Sequence, residues 1–191
     1  MKKIYILSTY TGTMLSYLIK KKTKVPYPHV SIALNKNLDE IYSFGRLHVS
    51  NPIFAGFVRE YIDDGLYKKK CNTLCRVYSL TLNNKQYETL LKNLAYFKEN
   101  GREFKYDTKA LLKFLYNEPK ENNKKYVCSQ FVAYLLEKSE VNIFYKPYYL
   151  ITPLDFYQLD NLTIEYEGLL SEYRTNLNKS NIEKNYVSIL A

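Results

Sequence analysis

The sequence predicts a single α+β domain in which an antiparallel sheet packs against helices. Segments rich in β-branched or alternating residues predict strands near residues 3–8, 29–34, 40–44 and 72–82. Amphipathic spacing predicts helices at about 13–22, 84–99, 107–116 and 128–138. A chain of 191 residues is long enough to bury most of its apolar surface without disulfides.

Apolar spacing and prolines define the first elements. Residues 3–8 predict a short strand, and Met14, Leu15, Leu18 and Ile19 recur with helical spacing. Pro26 and Pro28 end this helix and hold the backbone extended. The strand-like segments HVSIAL and EIYSF flank the turn-forming NKNLD, so they predict a hairpin that begins with His29.

The remaining segments predict the outline of the domain. Residues 45–69 hold three of the six glycines and lack a clear period, which favours a long ordered connection that borders a site. The helix over 84–99 stops at Asn100-Gly101, and LTIEYEG predicts one more strand. We therefore expect a domain over residues 1–168, followed by an appendage over 169–191 that is packed on it or partly flexible.

Composition narrows the possible partners and compartments. The net charge is +9, but only 5 of the 28 basic residues are Arg, so 28 − 5 = 23 are Lys, which reads bases and phosphates less well. We expect a solvated lysine surface and no nucleic-acid partner. Neither a secretory signal nor a membrane-length apolar segment is evident, and three cysteines form no disulfide framework, which predicts a cytoplasmic protein.

The segment YVCSQFVAYLL places a cysteine at the start of a helix. If the helix begins at Cys128, the sulfur lies beside unpaired backbone N–H groups and the positive end of the helix dipole, which favour the thiolate. The same amides can bind the oxyanion of a tetrahedral intermediate. Cys128 also shares the helical phase of Phe131, Val132 and Leu135, so simple core packing is the alternative.

His29 is the candidate base for this thiol. The two-residue period of the strand HVSIAL places His29, Ser31 and Ala33 on one face. Because these side chains are short, we expect the cysteine helix to pack across that face with its first residue near the imidazole. A hydrogen-bonded structural histidine is the alternative interpretation.

A third group normally fixes the tautomer of a catalytic imidazole, and the returning strand of the hairpin can supply it. With an odd number of loop residues, Ser43 lies opposite Ser31 and diagonal to His29. An even number brings Tyr42 there instead, and Glu40 reaches the position only through a strand bulge. Ser43 is the residue we predict.

Neither a metal nor an organic cofactor is predicted. Cys71 and Cys75 resemble half a metal site, but the chain has only two histidines and no second cysteine pair at ligand spacing. We interpret both as packing thiols on one strand face. Glycine-rich phosphate loops and the GxSxG and HExxH motifs are also missing from the sequence.

The order of these motifs resembles that of the circularly permuted papain-fold hydrolases related to the NlpC cell-wall peptidases, in the YiiX-like branch. The similarity covers about residues 1–160 and is sharpest in YPHVSIAL and CSQFVAYLL. His29 precedes Cys128 by 128 − 29 = 99 residues, as the permuted order requires. NlpC-type peptidases commonly carry Asp directly before the cysteine, where this chain has Val127.

The resemblance implies a permuted papain-like fold, with Cys128 as nucleophile, His29 as general base and acid, and the polar hairpin residue as orienter. It implies hydrolysis of an amide or peptide bond in a small peptide or amino-acid amide, through a thioester. The same fold resembles lecithin:retinol-type acyltransferases, so a lipid acyl substrate, with a groove lined by Phe54, Phe57 and Tyr61, stays open. A non-catalytic binding module is the third possibility. The oligomeric state is not predicted.

Overall fold

The computed structural model describes residues 1–48, 51–107, 121–122 and 124–179. The helix that the sequence predicts at 107–116 falls outside these ranges, apart from its first residue. The described strands are β1 (Lys2–Tyr10), β2 (His29–Ala33), β3 (Ile41–His48), β4 (Asn51–Glu60), β5 (Leu74–Leu82), β6 (Lys105–Tyr106), β7 (Lys125–Tyr126) and β8 (Thr163–Leu169).

The described helices are α1 (Met14–Thr23), α2 (Gly65–Lys69), α3 (Asn84–Asn100), α4 (Cys128–Glu137) and α5 (Pro153–Tyr157). Side-chain caps explain two of the starts. The Thr13 hydroxyl accepts the backbone N–H of Ser16 at 3.4 Å before α1. Before α3, Asn83 and Gln86 exchange side-chain and backbone hydrogen bonds, which form a capping box. Among the described residues, no helix is both long and apolar enough to cross a bilayer.

The strands form one eight-stranded sheet in the order β7-β6-β4-β3-β2-β1-β5-β8. Neighbouring strands are antiparallel except for the short pair β6 and β7, so the sheet is mixed. With helices packed against this sheet, the protein has an α+β fold, in agreement with the class that the sequence predicts. The expected hairpin is present as β2 and β3.

The two faces of the sheet support separate apolar clusters. On one face, Ile4, Ile6, Val30, Ile32 and Phe44 pack against α3 and α4. Aromatic rings form the centre of this cluster, where Phe131 lies 5.2 Å from Phe44 and 5.0 Å from Phe97 between ring centroids. The opposite face carries the second cluster, which includes Tyr5, Leu7, Ala33, Ile41 and Tyr67.

This arrangement corrects the expected packing of the cysteine helix. The helix α4 lies on the Val30 and Ile32 side of β2 and not across the face of Ser31 and Ala33. The apolar residues of α4 bury more hydrocarbon against Val30 and Ile32 than a serine and an alanine could offer. Small residues in a strand therefore did not identify the face that receives the helix.

The long connection expected at residues 45–69 is also wrong. This segment completes β3, forms β4 over Asn51–Glu60, and then forms α2. Gly45 and Gly56 face each other in the β3–β4 ladder, which explains why so many glycines occur in a strand segment. A strand that is packed on both faces does not alternate simply between apolar and polar residues, so the two-residue period of β4 is not evident in the sequence.

The described part of the carboxyl-terminal appendage is residues 169–179. After β8, a 3-10 turn spans Leu170–Glu172 and residues 173–179 are helical. Leu170, Tyr173 and Leu177 are buried in the second cluster. The Arg174 guanidinium also donates to Asp39 at 2.8 Å. The ten residues after β8 are part of the packed structure.

Candidate functional site

Cys128 is the first residue of α4, as the sequence predicts. The first backbone hydrogen bond of this helix runs from the N–H of Phe131 to the carbonyl of Val127 at 3.0 Å. The N–H groups of Cys128 and Ser129 therefore precede the first helical hydrogen bond, at the positive end of the helix. This places a thiol and two backbone donors at one helix end.

Polar side chains fix this end of the helix. The Gln130 side chain accepts the backbone N–H of Val127 at 3.1 Å and donates to the carbonyl of Tyr149 at 2.7 Å. The Ser129 hydroxyl donates to the carbonyl of Ile151 at 2.7 Å. Both side chains are buried, so these bonds are sheltered from water. The segment after the 3-10 turn at Tyr148–Leu150 thus anchors the cysteine.

The structure brings Cys128 and His29 together. The thiol of Cys128 lies close enough to the imidazole of His29, the first residue of β2, to be one of the groups that raise the pKa of this imidazole. The paired residues between β2 and β3 are Ile32 with Tyr42 and Ala33 with Ile41, so the ladder ends before His29 is reached. His29 belongs to the face of Ser31 and Ala33, whereas Cys128 belongs to a helix on the opposite face of the sheet. We attribute the closeness of the two side chains to the end of the β2–β3 pairing, because no paired backbone separates them there.

Glu60, the last residue of β4, holds the other side of the imidazole. The Nε2 atom of His29 lies 2.8 Å from Glu60 Oε1. A carboxylate can only accept, so Nε2 carries a hydrogen and Nδ1 is the ring nitrogen left for the thiol. Cys128, His29 and Glu60 therefore lie in the order thiol, imidazole and carboxylate, and the last two are hydrogen-bonded.

Four side chains converge on the Glu60 carboxylate. His29 and Ser43 contact Oε1, each at 2.8 Å. Ser31 donates to Oε2 at 2.6 Å and Tyr67 donates to it at 3.1 Å. A carboxylate offers about four acceptor positions, and here all are used. The group is thereby held in one orientation in its ionised form.

Ser43 lies at the site, but it contacts the carboxylate. The pairs Ile32–Tyr42 and Ala33–Ile41, continued by one step, put Ser43 opposite Ser31, as the odd-loop register predicts. Its hydroxyl donates to Glu60, and Glu60 is the residue that contacts the imidazole nitrogen. The alternative orienters are engaged elsewhere, since the Tyr42 hydroxyl donates to Glu40 at 2.9 Å.

Sequence reasoning missed Glu60 because it placed residues 45–69 outside the sheet. Once β4 is paired with β3, Ile41 lies opposite Glu60 and Ser43 lies opposite Val58. Glu60 then shares the face of Ser31 and Ser43. A carboxylate at the end of a strand segment, on the serine-bearing face, was the available signal.

The charges of His29 and Glu60 depend on each other. Burial lowers the pKa of His29, but the charge of Glu60 and the hydrogen bonds to Cys128 and Glu60 outweigh it and raise this pKa well above 6.5. Burial raises the pKa of Glu60, but the imidazolium charge and the hydrogen bonds from His29, Ser31 and Ser43 lower it below 4.5. The side chains are 23% and 14% exposed, so the imidazolium and the carboxylate interact with little screening.

Gly45 provides the space that this pair requires. A Cβ atom at this position would lie 3.3 Å from the Ser43 hydroxyl, 3.4 Å from Glu60 Oε1 and 3.5 Å from His29 Cε1. Its backbone is not in the left-handed region, so the reason for glycine here is contact and not conformation. A Cβ atom at position 45 would therefore crowd the Ser43 hydroxyl and lie in ordinary van der Waals contact with the carboxylate and the imidazole.

The charges of Cys128 and Arg46 both act on the Tyr106 phenol. Burial raises the pKa of the Tyr106 phenol, the charge of an ionised Cys128 raises it further, and Arg46 lowers it. Burial also lowers the pKa of Arg46. The Arg46 guanidinium donates to the Thr13 hydroxyl at 3.1 Å, which ties β3 to the start of α1.

The other cysteines and the expected apolar groove differ from the sequence interpretation. Cys75 is buried on β5, but Cys71 precedes the strand and is exposed, so the two do not share a packed face. Phe57 packs with Phe44 and Phe97, whereas Phe54 and Tyr61 are exposed. The three aromatic residues proposed for a groove therefore do not line a common surface.

A cavity of about 390 Å³ lies apart from the thiol, between α3, α4 and the short strands β6 and β7. It is lined by Phe97, Phe104, Tyr126 and Tyr134, together with charged residues at its rim. Within the described ranges, no group of three or more His, Cys, Asp or Glu side chains is placed to hold a metal ion. In comparisons with known proteins, no protein-family model and no curated protein matches this chain.

Proposed function

We propose that the protein is a cysteine-dependent hydrolase that cleaves an amide or peptide bond through a thioester. The observation that carries this proposal is that Cys128 lies beside His29 and that His29 is hydrogen-bonded to Glu60, a carboxylate with all four acceptor positions filled. A histidine needed only for packing would not require a carboxylate fixed by three further side chains. The permuted papain-like order of the motifs agrees with this chemistry.

In the proposed reaction, Nδ1 of His29 takes the proton of the Cys128 thiol, and the sulfur attacks the substrate carbonyl. The new C–S bond forms as the carbonyl π electrons move to oxygen, and the backbone N–H groups at the start of α4 bind this oxyanion. The imidazolium then donates its proton to the leaving amine as the C–N bond breaks. Water, deprotonated by Nδ1, attacks the thioester and releases the acid and the thiol.

Glu60 acts as the positioning residue in this scheme. Its charge stabilises the imidazolium that forms when the thiol loses its proton, and its bond to Nε2 keeps Nδ1 directed at the sulfur. Ser31, Ser43 and Tyr67 hold the carboxylate in place. Ser43 therefore contributes to catalysis through Glu60.

A lipid acyl ester or amide is a second candidate substrate. Large apolar side chains are exposed at the sheet end where β2 begins, among them Met14, Leu18, Leu47 and Phe54. An amphiphilic substrate would meet these side chains before it reached Cys128. The reaction steps are the same for an ester, with an alcohol as the leaving group.

The reactivity of Cys128 tests the proposed chemistry. In a Cys71→Ser background, iodoacetamide labelling reports on Cys128, because Cys75 is buried and burial raises the pKa of its thiol to about 12. We expect labelling at pH 6 that falls at least about tenfold in His29→Ala and stays unchanged in His48→Ala. Equal, slow labelling in all three proteins would reject the hydrolase and favour a binding module.

Mass spectrometry then identifies the substrate class. Incubation with activated amino-acid esters and with short-chain fatty acyl esters should leave a thioester on Cys128 from one series in preference to the other. Cys128→Ser removes the thiol and serves as the control for acylation elsewhere. If neither series acylates Cys128 and both are left intact, the proposed reaction is wrong.

A further inference from the structure

The helix α1 has an unusual distribution of exposed residues. Ser16 is its only buried residue. Met14, Tyr17 and Leu18 are 81%, 51% and 54% exposed, and their i, i+3, i+4 spacing places them on one outward stripe. A surface helix in water usually turns its apolar stripe toward the core, so an apolar stripe that faces outward is unusual.

Basic residues follow this apolar stripe. Lys20, Lys21 and Lys22 occupy the last turn of α1, and Lys24 caps it. Residues 1–38 contain no Asp or Glu, so no acid from this part of the sequence offsets the lysines. An apolar stripe next to a cluster of lysines has the composition of a helix that lies at the surface of an anionic membrane.

The β3–β4 hairpin extends the same surface. The hydrogen bond from Arg46 to Thr13 joins the end of β3 to the residue before α1. Leu47 and Phe54, on the two strands of that hairpin, are 49% and 59% exposed. We name α1 with Leu47 and Phe54 the rim surface. It lies at the sheet end where β1 and β3 stop and β2 begins with His29.

We propose that the rim surface docks on an anionic lipid bilayer, with the apolar stripe inserted among the headgroups and the lysines against the lipid phosphates. The charge complementarity favours a bilayer over a second copy of this chain, because two lysine-rich surfaces would repel each other. The docked protein would hold the opening beside Cys128 close to the membrane. This proposal does not depend on the reaction at Cys128.

The absence of tryptophan from the chain allows a direct test. Leu18→Trp puts a single fluorescent reporter on the stripe, and Tyr145→Trp puts one at a fully exposed position outside the rim surface. With vesicles of phosphatidylcholine containing about 30 mol% phosphatidylglycerol, the Leu18→Trp emission should shift to shorter wavelength and the Tyr145→Trp emission should not. Pure phosphatidylcholine vesicles should give a much smaller shift.

Substitutions test the two components separately. Met14→Ser with Leu18→Ser, and Lys21→Gln with Lys24→Gln, should each lower the vesicle partition coefficient at least about tenfold in sedimentation assays. Cys128→Ser should bind like the wild type, which separates docking from catalysis. The proposal fails if the wild type does not bind anionic vesicles or if the lysine substitutions have no effect on binding. It also fails if the emission shift of Leu18→Trp increases with protein concentration in the absence of vesicles.

Discussion

His29 and Glu60 meet across a strand that belongs to neither of them. His29 begins β2 and Glu60 ends β4, and β3 lies between these strands in the sheet. Their side chains bridge β3 with a distance of 2.8 Å between Nε2 and Oε1, above Ser43 and Gly45. The geometry of the pair therefore depends on the register of two ladders, β2–β3 and β3–β4.

Removing the charge of Glu60 should change the titration of His29. In Glu60→Gln, the pKa of His29 should fall, because the carboxylate charge and its hydrogen bond raise this pKa while burial lowers it. The chain has two histidines, so NMR titration of the imidazole Cε1 protons can be assigned with His48→Ala. The His48 resonance is the internal control, and an unchanged His29 titration would contradict the bridge.

The same pair should give folding stability a defined pH dependence. The pKa of Glu60 is lowered on folding, so its contribution is complete above pH 4.5 and is lost as the pH falls through its folded value. The pKa of His29 is raised, so its contribution is complete below pH 6.5 and is lost as the pH rises through its folded value. The pair therefore stabilises the fold most between pH 4.5 and 6.5.

Urea unfolding across pH measures this dependence. The free energy of unfolding of the wild type minus that of Glu60→Gln should be greatest between pH 4.5 and 6.5 and should decrease on both sides. Glu88→Gln removes a carboxylate from the exposed side of α3 and is the matched control. A difference that does not vary with pH would show that Glu60 and His29 are not coupled.

Gly45→Ala should reduce the reactivity of Cys128 while it leaves the fold intact. The added Cβ would lie 3.3 Å from the Ser43 hydroxyl, which is closer than most contacts, so this hydroxyl and the Glu60 carboxylate that it holds must shift by a few tenths of an ångström. We expect iodoacetamide labelling at pH 6 to slow by about tenfold or more, since small displacements in such sites cost this much. The measurement is the labelling rate, with circular dichroism to confirm folding.

Gly56→Ala is the control for this substitution, because Gly56 pairs with Gly45 in the β3–β4 ladder. A Cβ atom at Gly56 would first meet Leu47 Cδ1 at 3.5 Å, which is ordinary contact with a flexible side chain. Its labelling rate should match that of the wild type. Equal loss in both variants would mean that the strands, and not the site, respond to the added methyl group.

Phe131→Ala should destabilise the protein strongly. Phe131 is fully buried on α4 and its ring lies 5.0 to 5.6 Å from those of Phe44, Phe57 and Phe97. Truncation removes the central ring of the aromatic cluster, and we expect a loss of about 3–5 kcal/mol in the free energy of unfolding. Urea denaturation measures it, and the exposed Tyr145→Ala should change it by less than about 0.5 kcal/mol.

Local signals identified much of the architecture before the structure was known. Helices with clear apolar spacing and caps, such as α1 and α3, begin and end within a residue or two of their predicted limits. Prolines and turn residues predict the hairpin that begins at His29, and a helical period predicts the start of α4 at Cys128. The seven-residue loop over 34–40 agrees with the odd-loop alternative, one of the two registers that the sequence left open.

The rest depended on long-range pairing, which a single sequence does not encode locally. The strand β4 has no clean alternation, so Glu60 was not assigned to a sheet and its partnership with His29 was not predicted. The face of β2 against which α4 packs was also predicted wrongly, because it too depends on distant parts of the chain. The total area buried on each face of β2 depends on elements far away in the chain.

The position of α4 in the chain has a consequence for biosynthesis. Strands β1 to β5, with His29 and Glu60, leave the ribosome before residue 128 does, so the imidazole and its carboxylate can assemble before the thiol of Cys128 is present. Until α4 arrives, the hydrocarbon of Val30, Ile32 and Phe44 has no cover from that helix. A nascent chain at this stage exposes this apolar face, and the docking of α4 both covers the face and brings Cys128 to His29.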